Sequence, residues 1–227
     1  MVRELFDQQL QELQEDVLAL GSMVEEALSK SVETLKQKDL LAARRIIAGD
    51  REINAKRFEI EDAALTLIAT QQPMARDMRL LAAVLEIITE LERIGDYAKG
   101  IARINLMIGE QPFIKPLIDL PLMAAKARAM LQDALDAFIK RDLEMAHAIP
   151  ARDQEVDELY NQVYRELLSY IMEDPSTIEQ ANLLLWVAHN LERTADRTIN
   201  LCERIAYMIT GEMREFNSDE AGIEGLG

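Results

Sequence analysis

Apolar residues recur three or four positions apart along almost all of this 227-residue chain. The first stripe consists of Phe6, Leu10, Leu13, Val17, Leu20, Val24 and Ala27. An α-helix turns every ~3.6 residues, so this spacing places the apolar side chains on one face of a helix. No stretch shows the two-residue alternation of a half-buried strand. The pattern therefore predicts an all-α protein whose helices each bury one face.

Capping and helix-breaking residues divide this pattern into six long helices. Asp39 and Asp142 each precede a helix as candidate N-caps. Pro73 is expected at the first position of the third helix, and Pro150 predicts a kink or break in the fifth. The expected apolar positions of the second helix are Leu40, Ile46, Ile47, Ile53, Phe58, Leu65 and Ile68. Those of the fourth helix are Leu122, Leu131, Leu135 and Phe138.

A proline-dense stretch at 111–121 separates two halves of similar length. Three helices fall on either side of it. Long helices joined by short turns pack as antiparallel bundles, which predicts two tandem, pseudo-symmetric three-helix bundles at residues 1–110 and 111–212. Residues 213–227 lose the periodicity and are expected to form a disordered tail.

The charge balance restricts the classes of partner. The chain carries 41 acidic and 25 basic residues, a formal net charge of −16, which disfavours direct binding to nucleic acid or to an anionic membrane. A single cysteine, Cys202, excludes an intramolecular disulfide and a thiolate zinc site. No apolar run approaches the ~18 residues of a membrane span, and the N-terminus lacks the apolar region of a signal peptide. We therefore expect a cytoplasmic protein that meets membranes only through its partners.

The pattern Leu-Glu-Arg-x-x-Asp occurs twice, at 91–96 and at 191–196. In each copy the two carboxylates are four residues apart and share one helix face, where like charges destabilise a helix by a few tenths of a kcal/mol. Asp50 and Asp153 also correspond, at an offset of 103 positions. An internal repeat that retains paired acids suggests that a cation compensates their repulsion.

A count of positions from each turn brings further acids level with these pairs. In an antiparallel hairpin, residues equally far from the turn lie side by side. Asp153 lies 22 positions before Pro175 and Asp196 lies 21 after it; Asp157 and Glu192 lie 18 before and 17 after. The first half repeats this arrangement around Pro73, with Asp50 opposite Asp96 and Asn54 opposite Glu92.

Carboxylates gathered in this way repel one another unless they are protonated or bridged by a cation. Oxygen ligands select hard ions, so we expect Fe, Mn, Mg or Ca. The predicted ligands are Glu92, Asp96, Glu192, Asp196, Asp153, Asp157 and Asp50. The alternative is that Arg93 and Arg193 neutralise the acids as ordinary ion pairs, in a helical interaction module that binds no metal.

Enzymatic alternatives have weaker support in the sequence. A di-iron site of the ferritin type needs two Glu-x-x-His motifs on different helices, and only Glu144 with His147 fits. The chain has no glycine-rich phosphate loop and no nucleophile motif. We therefore expect a protein that is not an enzyme.

One motif resembles a known family. Residues 72–80 read Gln-Pro-Met-Ala-Arg-Asp-Met-Arg-Leu, and residues 83–96 read Ala-Val-Leu-Glu-Ile-Ile-Thr-Glu-Leu-Glu-Arg-Ile-Gly-Asp. This sequence resembles the signature of the PhoU family of bacterial phosphate-uptake regulators, and the second copy at 191–196 is similar to that family's repeat. The likeness extends over about residues 5–213.

The resemblance implies two three-helix bundles, a homodimer and, as in some members, multinuclear metal clusters on the acidic motifs. It also implies a role without catalysis, in which the protein couples the ATPase subunit of a Pst phosphate ABC transporter to a PhoR-type histidine kinase. Such a regulator represses the phosphate-starvation response when phosphate is plentiful. One departure is Arg57, where some relatives place an acid; it weakens the expectation of a full cluster in the first half.

Overall fold

The computed structural model describes residues 2–216, and all regular structure in this range is helical. The helices are α1 (Val2–Gln37), α2 (Leu40–Gln71), α3 (Ala75–Ile108), α4 (Asp119–Lys140), α5 (Leu143–Ala148), α6 (Asp153–Glu173) and α7 (Ile178–Thr210). Short 3-10 turns at Pro150–Arg152 and Pro175–Thr177 precede α6 and α7. The six long helices confirm the all-α prediction.

Helices α1, α2 and α3 pack together in the first half, and α4, α6 and α7 pack together in the second. The short α5 lies against α4 and α7. The halves meet mainly through α3 and α7, and also through α1 and α4. Gly21 of α1 approaches α4 so closely that a Cβ there would lie 2.4 Å from Leu135 Cδ1. A side chain at this position would therefore require the Leu135 side chain to move.

The helix ends show which local predictions were right. The side chain of Asp39 accepts a hydrogen bond from the Ala42 N–H at 2.8 Å, which confirms the N-cap of α2. Asp142 caps α5 in the same way. The break predicted at Pro150 is present as a 3-10 turn. The prediction for Pro73 was wrong, because α3 begins only at Ala75; Gln72 adopts a left-handed backbone (φ 47) that extends the turn by two residues.

The predicted apolar stripe of α1 is buried apart from the half-buried Ala27, and α3 and α7 likewise each bury one apolar face. The stripe on α2 was partly wrong: Phe58 is 58% exposed and Leu65 is 50% exposed. The residues that face the core are instead Ile53, Ile60, Ala64 and Leu67. Apolar residues lie on more than one side of α2, so spacing alone does not select the buried face. Leu122 of α4 is likewise exposed.

Polar contacts hold the segment that joins the two halves. The buried side chain of Gln180 on α7 donates to the Pro112 carbonyl and accepts from the Ile114 N–H. Lys115, which is also buried, forms ion pairs with Asp119 and Glu166. The joining segment is thus fixed to the second bundle by both backbone and charge.

Two of the first four residues of the predicted tail, Met213 and Phe216, contact the helices. The Phe216 N–H donates to Glu203 at 2.9 Å, and the Phe216 ring lies 4.8 Å from that of His147. The rest of the predicted tail, 217–227, lies outside the described residues. Within 2–216, no helix combines the length and apolarity needed to cross a membrane.

Candidate metal centre

Four acidic side chains gather between α6 and α7: Asp153, Asp157, Glu192 and Asp196, here called the second-half cluster. The 3-10 turn after Pro150 places Asp153 at the start of α6, with Asp157 one turn later. The α6–α7 hairpin folds back at 174–177, which brings the α7 acids alongside. Besides burial, the charges of Asp196, Asp157 and Asp153 all raise the pKa of Glu192, so the four acids lie near one another, as the hairpin count predicted.

Burial and mutual repulsion raise the pKa values in the second-half cluster. Burial, then the charges of Asp157 and Asp196, raise the pKa of Asp153 to about 6. Burial, then Asp196, raise the pKa of Glu192 to about 7, although Arg193 acts in the opposite direction. The pKa of Asp157 is raised by burial and by Asp196. Near neutral pH the cluster therefore holds more negative charge than its surroundings stabilise.

Two oxygens of the second-half cluster are shielded from solvent and have no hydrogen-bond partner among residues 2–216: Asp153 Oδ1 and Glu192 Oε2. A buried acceptor without a donor costs ~1–3 kcal/mol, more when it is charged. Two neighbouring side chains leave these atoms unsatisfied. Arg193 Nη1 pairs with Asp196 Oδ2 at 2.8 Å, whereas His189 Nδ1 lies 3.4 Å from Glu192 Oε2 without forming a hydrogen bond.

The carboxylate oxygens are of the type that binds hard cations, but they do not stand close enough together to coordinate one. Carboxylate oxygens are the ligands that Mg²⁺, Ca²⁺, Mn²⁺ and iron prefer. However, among residues 2–216 no three His, Cys, Asp or Glu side chains stand close enough together to hold a metal ion. Mutual repulsion gives a physical reason for that separation. An ion shared by the four acids would require their side chains to rotate towards one another.

The matching acids of the first half, Asp50, Glu92 and Asp96, form the first-half cluster between α2 and α3. Burial, then Asp96, raise the pKa of Glu92; Arg57 acts in the opposite direction. Asp50 is buried, and its Oδ2 lies 2.6 Å from Lys99 Nζ. The same ammonium lies 3.2 Å from Asp96 Oδ1. A cation that belongs to the chain therefore bridges two of the three acids.

Lys99 is the main difference between the two clusters. At the repeat offset of 100 positions, its counterpart is Ile199, which is buried in the second bundle. Within the described part of the chain, the second-half cluster thus has no equivalent ammonium. Hydrogen bonding to Asp50 raises the pKa of Lys99, so the ammonium stays charged.

Sequence reasoning did not identify Lys99 as a member of the site. The available signal was its position three residues after Asp96, on the same face of α3, together with an apolar residue at the matching position. That signal is weak, because most lysines at this spacing are solvated surface residues. Arg57 was singled out, and it does lie close enough to affect Glu92.

Comparison with known proteins agrees with the duplicated architecture. The family model for the PhoU domain matches the chain twice, at residues 17–104 and 120–205. A Clostridium acetobutylicum protein, named phosphate-specific transport system accessory protein PhoU homolog, is 38% identical over 96% of this chain and 100% of that protein. The Escherichia coli protein named phosphate-specific transport system accessory protein PhoU is 36% identical, over 95% of this chain and 90% of its own length.

Solved structures agree as well. The phosphate transport system regulatory protein PhoU from Streptococcus pneumoniae superposes with a TM-score of 0.85 at 33% identity, covering 92% of this chain and 99% of that one. PhoU from Pseudomonas aeruginosa gives a TM-score of 0.86 at 30% identity, covering 91% and 100%. Because the family model covers both halves and the identity extends over nearly the full length, this chain belongs to the PhoU family.

Proposed function

We propose that this chain is a non-enzymatic regulator of phosphate uptake. In this role it is a cytoplasmic, metal-binding adaptor between the ATPase subunit of a phosphate-specific transporter and a PhoR-type sensor kinase. It acts negatively when phosphate is abundant, and it works as a homodimer. The names of its relatives, which are accessory and regulatory proteins of phosphate transport, support the transport part of the proposal.

The metal part rests on one observation: the second-half cluster is acidic, partly buried and only partly neutralised, by the pairing of Arg193 with Asp196. Its two unpartnered oxygens and the raised pKa values of Asp153 and Glu192 describe a site that a cation would stabilise. A bound hard ion would supply positive charge between α6 and α7. The residues that would hold it are Asp153, Asp157, Glu192 and Asp196. In the first-half cluster, Asp50, Glu92 and Asp96 would bind an ion less tightly, because Lys99 already supplies a positive charge.

Elemental analysis of gently purified protein tests metal binding. We expect about one or more hard metal ions per chain, held mainly by the second-half cluster. Glu92→Gln together with Glu192→Gln should lose most of this metal, because each change removes a carboxylate ligand. The control pair Glu12→Gln and Glu144→Gln removes the same charge from exposed positions. Metal-free parent protein, or equal metal in both double variants, would contradict the proposal and favour an interaction module that binds no metal.

A genetic test addresses the regulatory role separately. Cells that lack this protein should express their phosphate-starvation genes in phosphate-rich medium, and the parent chain should restore repression. The double variant Glu92→Gln, Glu192→Gln should restore it less well if metal is needed for signalling. A reporter gene driven by a phosphate-starvation promoter measures the outcome. Normal repression in cells without the protein would contradict a negative regulatory role.

A further inference from the structure

The outer face of the α6–α7 hairpin carries large apolar side chains that nothing in the described chain covers. Trp186 on α7 is 59% exposed, and Tyr164 and Leu168 on α6 are 43% and 40% exposed. Trp186 packs edge-on against His189, with ring centroids 5.6 Å apart. The other side of His189 faces Tyr160, at 6.5 Å between ring centroids. An aromatic row therefore crosses from one helix to the other.

The antiparallel register extends this row along the hairpin. Tyr160 lies beside His189, so Tyr164, one turn further along α6, lies level with Trp186 on α7. Leu168 follows after one more turn. We call the set Tyr160, Tyr164, Leu168, Trp186 and His189 the aromatic surface. Contiguous exposed apolar side chains of this kind are typical of protein interaction sites, unlike apolar residues that are scattered singly.

The internal repeat shows that the fold does not need these side chains. At the repeat offsets, Glu61 stands in the first half where Tyr164 stands in the second, and Glu86 stands where Trp186 stands. Both helix pairs form the same type of hairpin. The first hairpin therefore folds with acids at these positions, and the second carries aromatic residues that its packing does not require.

The acids beside the aromatic surface favour a positively charged partner. His189 Nδ1 lies 3.4 Å from Glu192 Oε2, so the aromatic surface adjoins the second-half cluster. The same face thus offers exposed aromatic rings next to four acids. Trp and Tyr are among the residues that carry most binding energy at protein interfaces. Complementary positive charge beside an apolar stripe is the pattern of a basic amphipathic helix.

We propose that the aromatic surface and the second-half cluster together bind a basic amphipathic helix of a partner protein. The apolar side chains of that helix pack on Trp186 and Tyr164, and its Lys or Arg residues lie over the acids. This inference supplies a docking surface for the adaptor role proposed above. It does not require a bound metal, so it is tested in the presence of a chelator.

Trp186 is the single tryptophan of the chain, which makes its fluorescence a direct reporter. The probe is a tryptophan-free, amphipathic helical peptide of about 18 residues built from Leu and Lys, long enough for about five turns. We expect saturable binding, a blue shift of the Trp186 emission and protection from acrylamide quenching. Affinity should fall as NaCl rises from about 0.05 to 0.5 M, because salt screens the charges. Equal binding of a Leu/Glu peptide would contradict the charge argument.

Polar substitutions that leave the charge unchanged provide the variants. Tyr164→Gln with Trp186→Gln installs neutral side chains of the same shape as Glu61 and Glu86, which the first half uses at these positions, so the hairpin should still fold, as circular dichroism will check. Anisotropy of a labelled peptide should show binding at least about tenfold weaker than that of the parent. Phe58→Gln is the matched control, since Phe58 on α2 is 58% exposed and lies away from this face; it should bind normally.

Other results would overturn the inference. Unchanged affinity in the double variant would exclude the aromatic surface as the docking site. Sedimentation of the parent and the double variant asks whether a second copy of the chain covers this face instead; a dimer lost only in the double variant would replace the proposed partner. Tight binding to anionic vesicles that depends on Trp186 would identify a membrane surface. These outcomes are independent of the elemental analysis, so a failure here is distinguishable from a failure of metal binding.

Discussion

Replacing Lys99 with Met is expected to lower the free energy of unfolding of the metal-free protein by about 2 kcal/mol near pH 7. The change leaves Asp50 buried without its cation, since Lys99 Nζ is only 2.6 Å from Asp50 Oδ2. Loss of one partner of a fully buried ion pair costs more, but Lys99 is 21% exposed and Asn54 still donates to Asp50. The pKa of Lys99 is raised in the fold, so its contribution is fully present near neutral pH and disappears only at high pH.

The same variant should also respond to metal differently from the parent. Without the ammonium, the first-half cluster resembles the second-half cluster in having uncompensated carboxylates. We therefore expect Mn²⁺ or Mg²⁺ to raise the melting temperature of Lys99→Met by more than it raises that of the parent. Elemental analysis should likewise find more metal per chain in the variant. Urea unfolding and thermal melts, with chelator and with added ion, measure both effects.

Lys56→Met provides the matched control for Lys99. The Lys56 side chain is 23% exposed, close to the 21% of Lys99. Its Nζ lies 2.6 Å from Asp16 Oδ1. Asp16 is 44% exposed, however, so water can solvate it after the substitution. Lys56→Met should lose less stability than Lys99→Met, and added metal should not restore that loss. If both variants behave alike, or if metal has no larger effect on Lys99→Met than on the parent, Lys99 is not an internal counterion of the cluster.

The second large effect concerns pH. In the folded protein, burial and then Asp196 raise the pKa of Glu192 from 4.5 to about 7. The folded state therefore holds this proton more tightly than the unfolded state. The stability that protonation provides is lost as the pH rises from the pKa of Glu192 in the unfolded chain through its pKa in the folded protein. Gln at this position has no proton to lose. The advantage of Glu192→Gln over the parent, without metal, should grow by about 1–2 kcal/mol between pH 5.5 and pH 8.

Glu155→Gln is the control for the pH experiment. Its carboxylate is exposed, and the hydrogen bond from Lys126 lowers its pKa. A group whose pKa is lowered in the fold contributes stability above its unfolded pKa, and that stability is lost only on acidification. The stability of Glu155→Gln relative to the parent should therefore not increase between pH 5.5 and pH 8. Denaturant unfolding in chelator at both pH values provides the data. An equal change in the two variants would contradict a strained second-half cluster.

At the higher pH, added metal should make Glu192→Gln less stable than the parent, whereas without metal it is the more stable of the two. An ion between α6 and α7 stabilises the ionised carboxylates, and the amide removes one of its charged ligands. The parent should then gain more stability from Mn²⁺ than the variant does. If the ion stabilises both proteins equally, it binds elsewhere on the acidic surface.

The local features of the chain were predictable because neighbouring residues decide them. Asp39 and Asp142 cap helices through contacts three residues away, and Pro150 interrupts a helix through its own ring. The hairpin count placed Asp153 near Asp196 because two rigid helices of known rise join at a short turn. Pro73 was misplaced by two residues, because the left-handed conformation of Gln72 is not visible in the sequence.

The sequence by itself determined the helices, their duplication and the two groups of acids, since periodicity and repeat register are properties of the chain alone. Only the tertiary structure decided which side of α2 is buried, so that Ile60 faces the core and Phe58 faces solvent. It also decided that Lys99 reaches Asp50 across 49 positions while its counterpart Ile199 packs inside. Such pairings depend on how helices rotate against one another, and that rotation is set by the packing of the whole bundle rather than by any one segment.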